Sequence, residues 1–150
     1  MNKIVAKVQA IEETGIVTYI RIKKNNTVFT VIKPETPKWI AVGDQVYCNF
    51  QEASVSISKN CPGKVSIENR LSAVLKEVRK NKSLCELSLE SDIGDIISLI
   101  TCRAYDELEL EKGCKATLLL RGVDIKLEPV FTQVDKKKYE KYISRIKNAN

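Results

Sequence analysis

The polar run V-S-I-E-N-R at residues 65–70 stands between a Pro62-Gly63 turn and the alternating apolar residues Leu71, Ala73 and Leu75. Its Ser66 hydroxyl and Asn69 amide sit at the mouth of a strand, where such groups either cap a turn or face a polar ligand. Few other residues are arranged for chemistry. No histidine occurs in the chain, which removes the commonest general base near neutral pH and the commonest transition-metal ligand. Catalysis would then rest on Cys, Lys or paired carboxylates, and no motif gathers these, so the chain does not read as an enzyme. Cys48, Cys61, Cys85, Cys102 and Cys114 are odd in number, widely spaced and without a C-x-x-C pair. That spacing predicts neither a disulfide framework nor a zinc site, but reduced thiols, several of them buried.

These side chains need a scaffold, and the scaffold reads as two copies of one β-rich unit. Ile4, Ala6, Val8 and Ile11 align with Leu71, Ala73, Leu75 and Val78 at an offset of about 67 residues. Val42-Gly43-Asp44 aligns with Lys112-Gly113-Cys114, and Val55-x-Ile57 with Ile125-x-Leu127, at an offset of about 70. The drift implies a short insertion in the second copy around Tyr105–Leu110. Alternation in Thr18-x-Ile20-x-Ile22, Val46-x-Cys48-x-Phe50 and Cys85-x-Leu87-x-Leu89 marks half-buried strands. Together with the punctuation at Thr14-Gly15, Asn25-Asn26, Gly43-Asp44 and Lys112-Gly113, it predicts strands near 3–11, 16–23, 27–32, 45–51 and 54–58. The second set falls near 70–78, 83–89, 95–101, 115–121 and 123–128. YDELEL (105–110) predicts a helical turn; its counterpart KPETPKWI (33–40) holds two prolines and predicts at most a short distorted one. Trp39, just after those prolines, reads as a core or interface plug.

The expected fold is mainly all-β: two tandem OB-like five-stranded barrels, each with a short helical turn, over residues 1–58 and 64–130. Residues 59–63 link them. A C-terminal amphipathic helix is expected over 135–148, from the spacing of Tyr139, Tyr142, Ile143 and Ile146, with Asp135 as its N-cap. Charge is concentrated there: six Lys/Arg against two acids from Asp135 onward contribute +4 of the net +6, leaving the body mildly basic. No apolar run approaches the ~20 residues of a membrane span, and no signal-peptide core opens the chain, so a cytoplasmic location is expected.

Three stretches of the second copy, SIENRLSAVLKEV, ISLITCRAYDELELEKG and LLLRGVDIKL, together resemble the molybdenum-pterin-binding (Mop) domain family, also called TOBE. The resemblance spans nearly all of residues 64–128. The first copy is similar more faintly, through VGDQV and ASVSIS, so the chain looks like the tandem form. The resemblance implies binding of molybdate or tungstate, dianions that need convergent backbone N–H groups, hydroxyls and a cation. Position by position, it implies oxyanion contacts from Ser66, Asn69, Thr101, Arg121 and Gly122, and in the first copy from Lys33 and Thr36, with Asn2 aligned to Asn69. Glu68 stands where the family has Arg, and a carboxylate beside an oxyanion is repulsive unless it is paired or turned away. The expectation is a Glu68 turned outward and held by a cation such as Arg70.

The family places oxyanions between domains or subunits, which implies a homo-oligomer, a dimer or trimer, serving storage, homeostasis or sensing. An alternative is a TOBE-pair interaction module without ligand, docking on a transporter ATPase or a regulator. A third reading, a nucleic-acid-binding OB-like protein, fits the basic tail. Against it, only 6% of residues are aromatic and no strand alternates basic and aromatic side chains for base stacking.

Overall fold

The computed structural model describes residues 1–60, 63–130 and 135–148 of the chain. Ten strands form two five-stranded sheets. In the first half run β1 (Asn2–Glu13), β2 (Thr18–Lys24), β3 (Thr27–Lys33), β4 (Gln45–Phe50) and β5 (Ser56–Ser58). In the second run β6 (Asn69–Asn81), β7 (Leu84–Ser91), β8 (Gly94–Thr101), β9 (Lys115–Leu120) and β10 (Lys126–Pro129). Side chains alternate strictly along β1 and β6, inward at Ile4, Ala6 and Val8 and at Leu71, Ala73 and Leu75. Period-two burial of this kind is what fixes register in a sheet with one face on the core.

Each long strand curls its sheet by pairing with different partners along its length. β1 pairs with β4 from Asn2 to Lys7 and with β2 from Lys7 to Glu13; β6 does the same with β9 and β7. A bulge follows Val8 in one and Leu75 in the other. There the Val8 carbonyl accepts from Gly43 N–H and the Leu75 carbonyl from Gly113 N–H. Both glycines lie at positive φ (94° and 91°), the left-handed region that glycine enters without a Cβ penalty.

The two copies trade their last strands. Sheet order is β10-β4-β1-β2-β3 in one and β5-β9-β6-β7-β8 in the other. Each barrel-like half, OB-like as the sequence predicts, is therefore completed by three or four residues of the other repeat. The buried residues of both halves form one continuous cluster, with Trp39 packed against it as a plug. The hairpin turns meet as well: Asp92 accepts from Asn26 N–H (3.0 Å), from the Thr27 hydroxyl (2.7 Å) and, at its backbone carbonyl, from the Asn25 amide (2.7 Å). Asn25 and Asp92 are themselves equivalent positions of the repeat, so the halves touch across a pseudo-twofold axis.

Helices depart in detail from the sequence pattern. α1 spans Cys102–Glu107, three residues ahead of the YDELEL stretch. Thr101 is the cause: its hydroxyl accepts from Ala104 N–H (3.0 Å) and so starts the helix early, while Glu109 at φ 51° ends it. The insertion inferred from the drift in offset falls on this helix. In the first half Pro34 and Pro37 leave only turns between β3 and β4. Two 3-10 turns, Glu52–Ser54 and Gly122–Asp124, precede the exchanged strands. α2 spans Asp135–Asn148. The cap expected from Asp135 and the Tyr139 and Tyr142 side chains lie outside what the structure describes, as do Cys61 and Pro62 of the linker.

Candidate functional site

Strand exchange creates two equivalent junctions, each built from the start of one repeat, the third strand of the other and a 3-10 turn. At the first junction Asn69 opens β6 and is buried, 4% exposed. Its amide closes a two-bond clamp on β3: Thr30 N–H donates to Oδ1 (2.7 Å), and Nδ2 donates to the Thr30 carbonyl (2.8 Å). A primary amide offers a donor and an acceptor side by side, as a backbone peptide does, so Asn69 continues the sheet by side chain. At the second junction Asn2 does the same to Ile97 of β8, with both bonds at 2.8 Å.

The 3-10 turns are fastened in parallel fashion. Lys33 Nζ donates to the Ile125 carbonyl (2.5 Å), and the Val55 carbonyl, the repeat equivalent of that acceptor, accepts from the Ser98 hydroxyl (2.7 Å). The two fastenings thus differ in charge: a lysine ammonium holds the first turn and a neutral hydroxyl the second. Burial, and then the nearby Lys126 charge, hold the Lys33 amine below its ordinary 10.5. An ammonium in such a place is short of solvation and gains from an anion.

The shift has a consequence for stability. A lysine whose folded pKa is depressed binds its proton more tightly when unfolded, so stability rises with pH between the folded value and the ordinary one. Urea midpoints of wild type and Lys33→Met, compared from about pH 8 to about pH 10, should show the wild type gaining on the variant as pH rises. A difference that stays flat would place Lys33 in ordinary solvation.

Gly122 lies against β3. Its N–H donates to Glu68 Oε2 (3.0 Å), and a Cβ built on it would stand 2.7 Å from the Thr30 carbonyl oxygen. Glu68 therefore is not held by Arg70, as expected, but by a backbone N–H. Arg70 is turned the other way, with Nη2 on the Val65 carbonyl (2.8 Å) and Nε on the Ile67 carbonyl (3.2 Å). Those two bonds fix the loop that presents Ser66, which is exposed and whose side chain makes no hydrogen bond among the described residues. Arg121 precedes Gly122, is exposed, and pairs with Asp124 through Nε (2.9 Å).

Of the residues named from sequence, the first junction gathers Asn69, Lys33, Gly122, Arg121 and, at its edge, Ser66. Thr101 ends β8, on the half that Asn2 clamps, and its hydroxyl caps α1. Thr36 lies beside the start of β2, donating to Glu13 Oε1 (2.7 Å) and 3.1 Å from the hydroxyl of Thr18, the residue paired with Lys33. In the second junction Gln51 takes the place of Arg121, and Glu52 pairs with the Met1 ammonium. Thr30 and Ile97, which the two asparagines grip, were not foreseen. Their signal is present in the repeat: Asn2 and Asn69, and Thr30 and Ile97, share the same offset of about 67.

No protein-family model and no curated protein matches the chain by sequence. Its fold is similar to that of the cytoplasmic molybdate-binding protein ModG, in a crystal form with molybdate bound. The TM-score is 0.80 at 21% identity, with 86% of this chain and 96% of that one covered. The likeness is one of fold, two curled five-stranded OB-like halves in tandem. Among the described residues, no helix is long and apolar enough to cross a membrane.

Proposed function

We propose that the chain is a cytoplasmic, non-catalytic protein that binds a tetrahedral oxyanion, molybdate or tungstate, at the junction of β6, β3 and the Arg121–Asp124 turn. The observation that carries this reading is an anion already seated there: the Glu68 carboxylate rests on the Gly122 N–H, at the junction that Lys33 makes cationic. A donor set that holds one carboxylate oxygen can hold an oxyanion oxygen. In this reading Gly122 N–H, the Ser66 hydroxyl and the Arg121 guanidinium supply donors, Lys33 supplies charge, and Asn69 positions β3 without touching the ligand. Ser66 and Arg121 face outward, so a second copy completes the shell in a homo-oligomer. The molybdate-bound ModG fold supports the choice of ligand class.

Calorimetric titration of oxyanion-free protein at fixed ionic strength tests the reading. Molybdate and tungstate are expected to bind far more tightly than sulfate, since this reading requires donors spaced for the larger anions. Equal affinity for sulfate, or no heat with any of the three, overturns it.

Glu68 favours a second reading, the ligand-free interaction module, because its carboxylate occupies a donor the oxyanion needs. Glu68→Gln separates the two. If the oxyanion displaces Glu68, removing the like charge should tighten molybdate binding by about tenfold, the scale of a screened surface repulsion. Absence of binding in both wild type and Glu68→Gln supports the module.

A further inference from the structure

Two cysteines that the oxyanion site does not use face each other across β7 and α1. Cys85 lies on β7 and is fully buried; Cys102, the first residue of α1, is half-buried. Their sulfurs are 3.0 Å apart. The backbone holds them there: Leu84 pairs with Thr101 and Cys85 with Ile100 at the end of the β7–β8 ladder. Just beyond it, Cys102 N–H donates to the Ser83 carbonyl (2.8 Å). Closing the pair to bonding distance needs about 1 Å of sulfur travel.

We propose that Cys85 and Cys102 are an oxidisable thiol pair, which a hydroperoxide converts into a disulfide tying α1 to β7. Cys102 is the half of the pair that an oxidant can reach. Its thiolate attacks one peroxide oxygen, forming an S–O bond as the O–O bond breaks and hydroxide or alkoxide leaves. Cys85 gives its proton to that base and attacks the Cys102 sulfenic acid, forming the S–S bond as the S–O bond breaks; the departing hydroxide takes up the proton that Cys102 released on ionising and leaves as water. Two thiols lose two electrons, and the hydroperoxide is reduced to water or an alcohol and water. Cys85 is suited to the resolving role and not the first attack: burial, and then its hydrogen bond with Cys102, push its thiol up to about 11. Cys48 is sealed in the core, its thiol pushed up to about 12 by burial, and Cys114 has no sulfur neighbour among the described residues.

The bond would close a chain segment of 18 residues, from Cys85 to Cys102, around the β7–β8 hairpin. It would also fix Thr101, the residue that caps α1, between strand and helix. The full-length protein, purified reduced and treated with hydrogen peroxide, tests the assignment. The intact mass should fall by two hydrogens, a non-reducing peptide map should join Cys85 to Cys102, and the melting temperature should rise by roughly 5–10 °C. In Cys102→Ser the linkage should vanish. In Cys85→Ala, Cys102 should remain as a sulfenic acid that dimedone traps, which keeps the test sound if loss of the buried sulfur weakens the fold. Oxidation that leaves both thiols open to alkylation, or that joins either one to Cys61, to Cys114 or to a second copy instead, overturns the proposal.

Discussion

Asn69→Ala should destabilise the protein by about 2–4 kcal/mol, seen as a lower urea midpoint at unchanged slope. The truncation removes two hydrogen bonds at once and, more important, leaves the Thr30 N–H and carbonyl without the partners they have at 2.7 and 2.8 Å. Orphaned backbone groups in a closed junction lose their desolvation energy without return, which costs more than the bonds contribute when made. Asn2→Ala should cost a similar amount through Ile97, because the geometry is the same. Asn69→Asp sharpens the test. It keeps an acceptor for Thr30 N–H but sets a carboxylate oxygen against the Thr30 carbonyl, so it should recover little of the loss. A loss under about 0.5 kcal/mol for Asn69→Ala would mean that water replaces the amide and that the clamp is not structural. The result also bears on function, since a positioning role for Asn69 predicts weaker oxyanion binding only as far as β3 is loosened.

The strands were legible in the sequence because one-sided burial imposes a period of two, and the core-facing residues Ile4, Ala6, Val8, Leu71, Ala73 and Leu75 keep it without a break. The repeat was legible for the same reason: the two copies solve one packing problem. Exchange of β5 and β10 was not. A segment such as S-V-S-I-S announces a strand, but three or four residues carry no information about which sheet edge they join. The site was legible in its residue types and less so in their roles. Asn69 reads as an anion contact from its place in the pattern, and the fold adds a two-bond grip on Thr30, thirty-nine residues earlier in the chain, that the sequence does not announce. Thr36 and Thr101 likewise satisfy neighbours that only the folded chain brings near. Glu68 looked like a charge in need of a cation, yet a backbone N–H fifty-four residues away holds it. Backbone groups have no letter in a sequence, so contacts made to them stay hidden until the topology is known.

Gly122→Ala should cost about 1–3 kcal/mol, the range for a side chain forced into filled space. The new Cβ would stand 2.7 Å from the Thr30 carbonyl oxygen and 2.9 Å from Ile32 Cγ1. The Ile32 side chain is half-buried and can rotate aside, but the Thr30 carbonyl cannot, because the Asn69 amide grips that same oxygen and β2 pairs the strand from its other edge. Relief must come from moving either the clamped strand or the turn. Moving the turn would carry Gly122 N–H away from Glu68 and the Ile125 carbonyl away from Lys33. The conflict predicts its own signature. If Asn69 is what makes Thr30 unyielding, Gly122→Ala should cost less in an Asn69→Ala background than in wild type, by about 0.5–2 kcal/mol in a double-mutant cycle. Strict additivity would mean that the strand yields regardless of the clamp. In the wild-type background Gly122→Ala should also weaken molybdate binding, since it displaces the N–H that holds the Glu68 carboxylate at this junction. Loss of stability with unchanged affinity would move the oxyanion away from Gly122 and leave that glycine a packing residue alone.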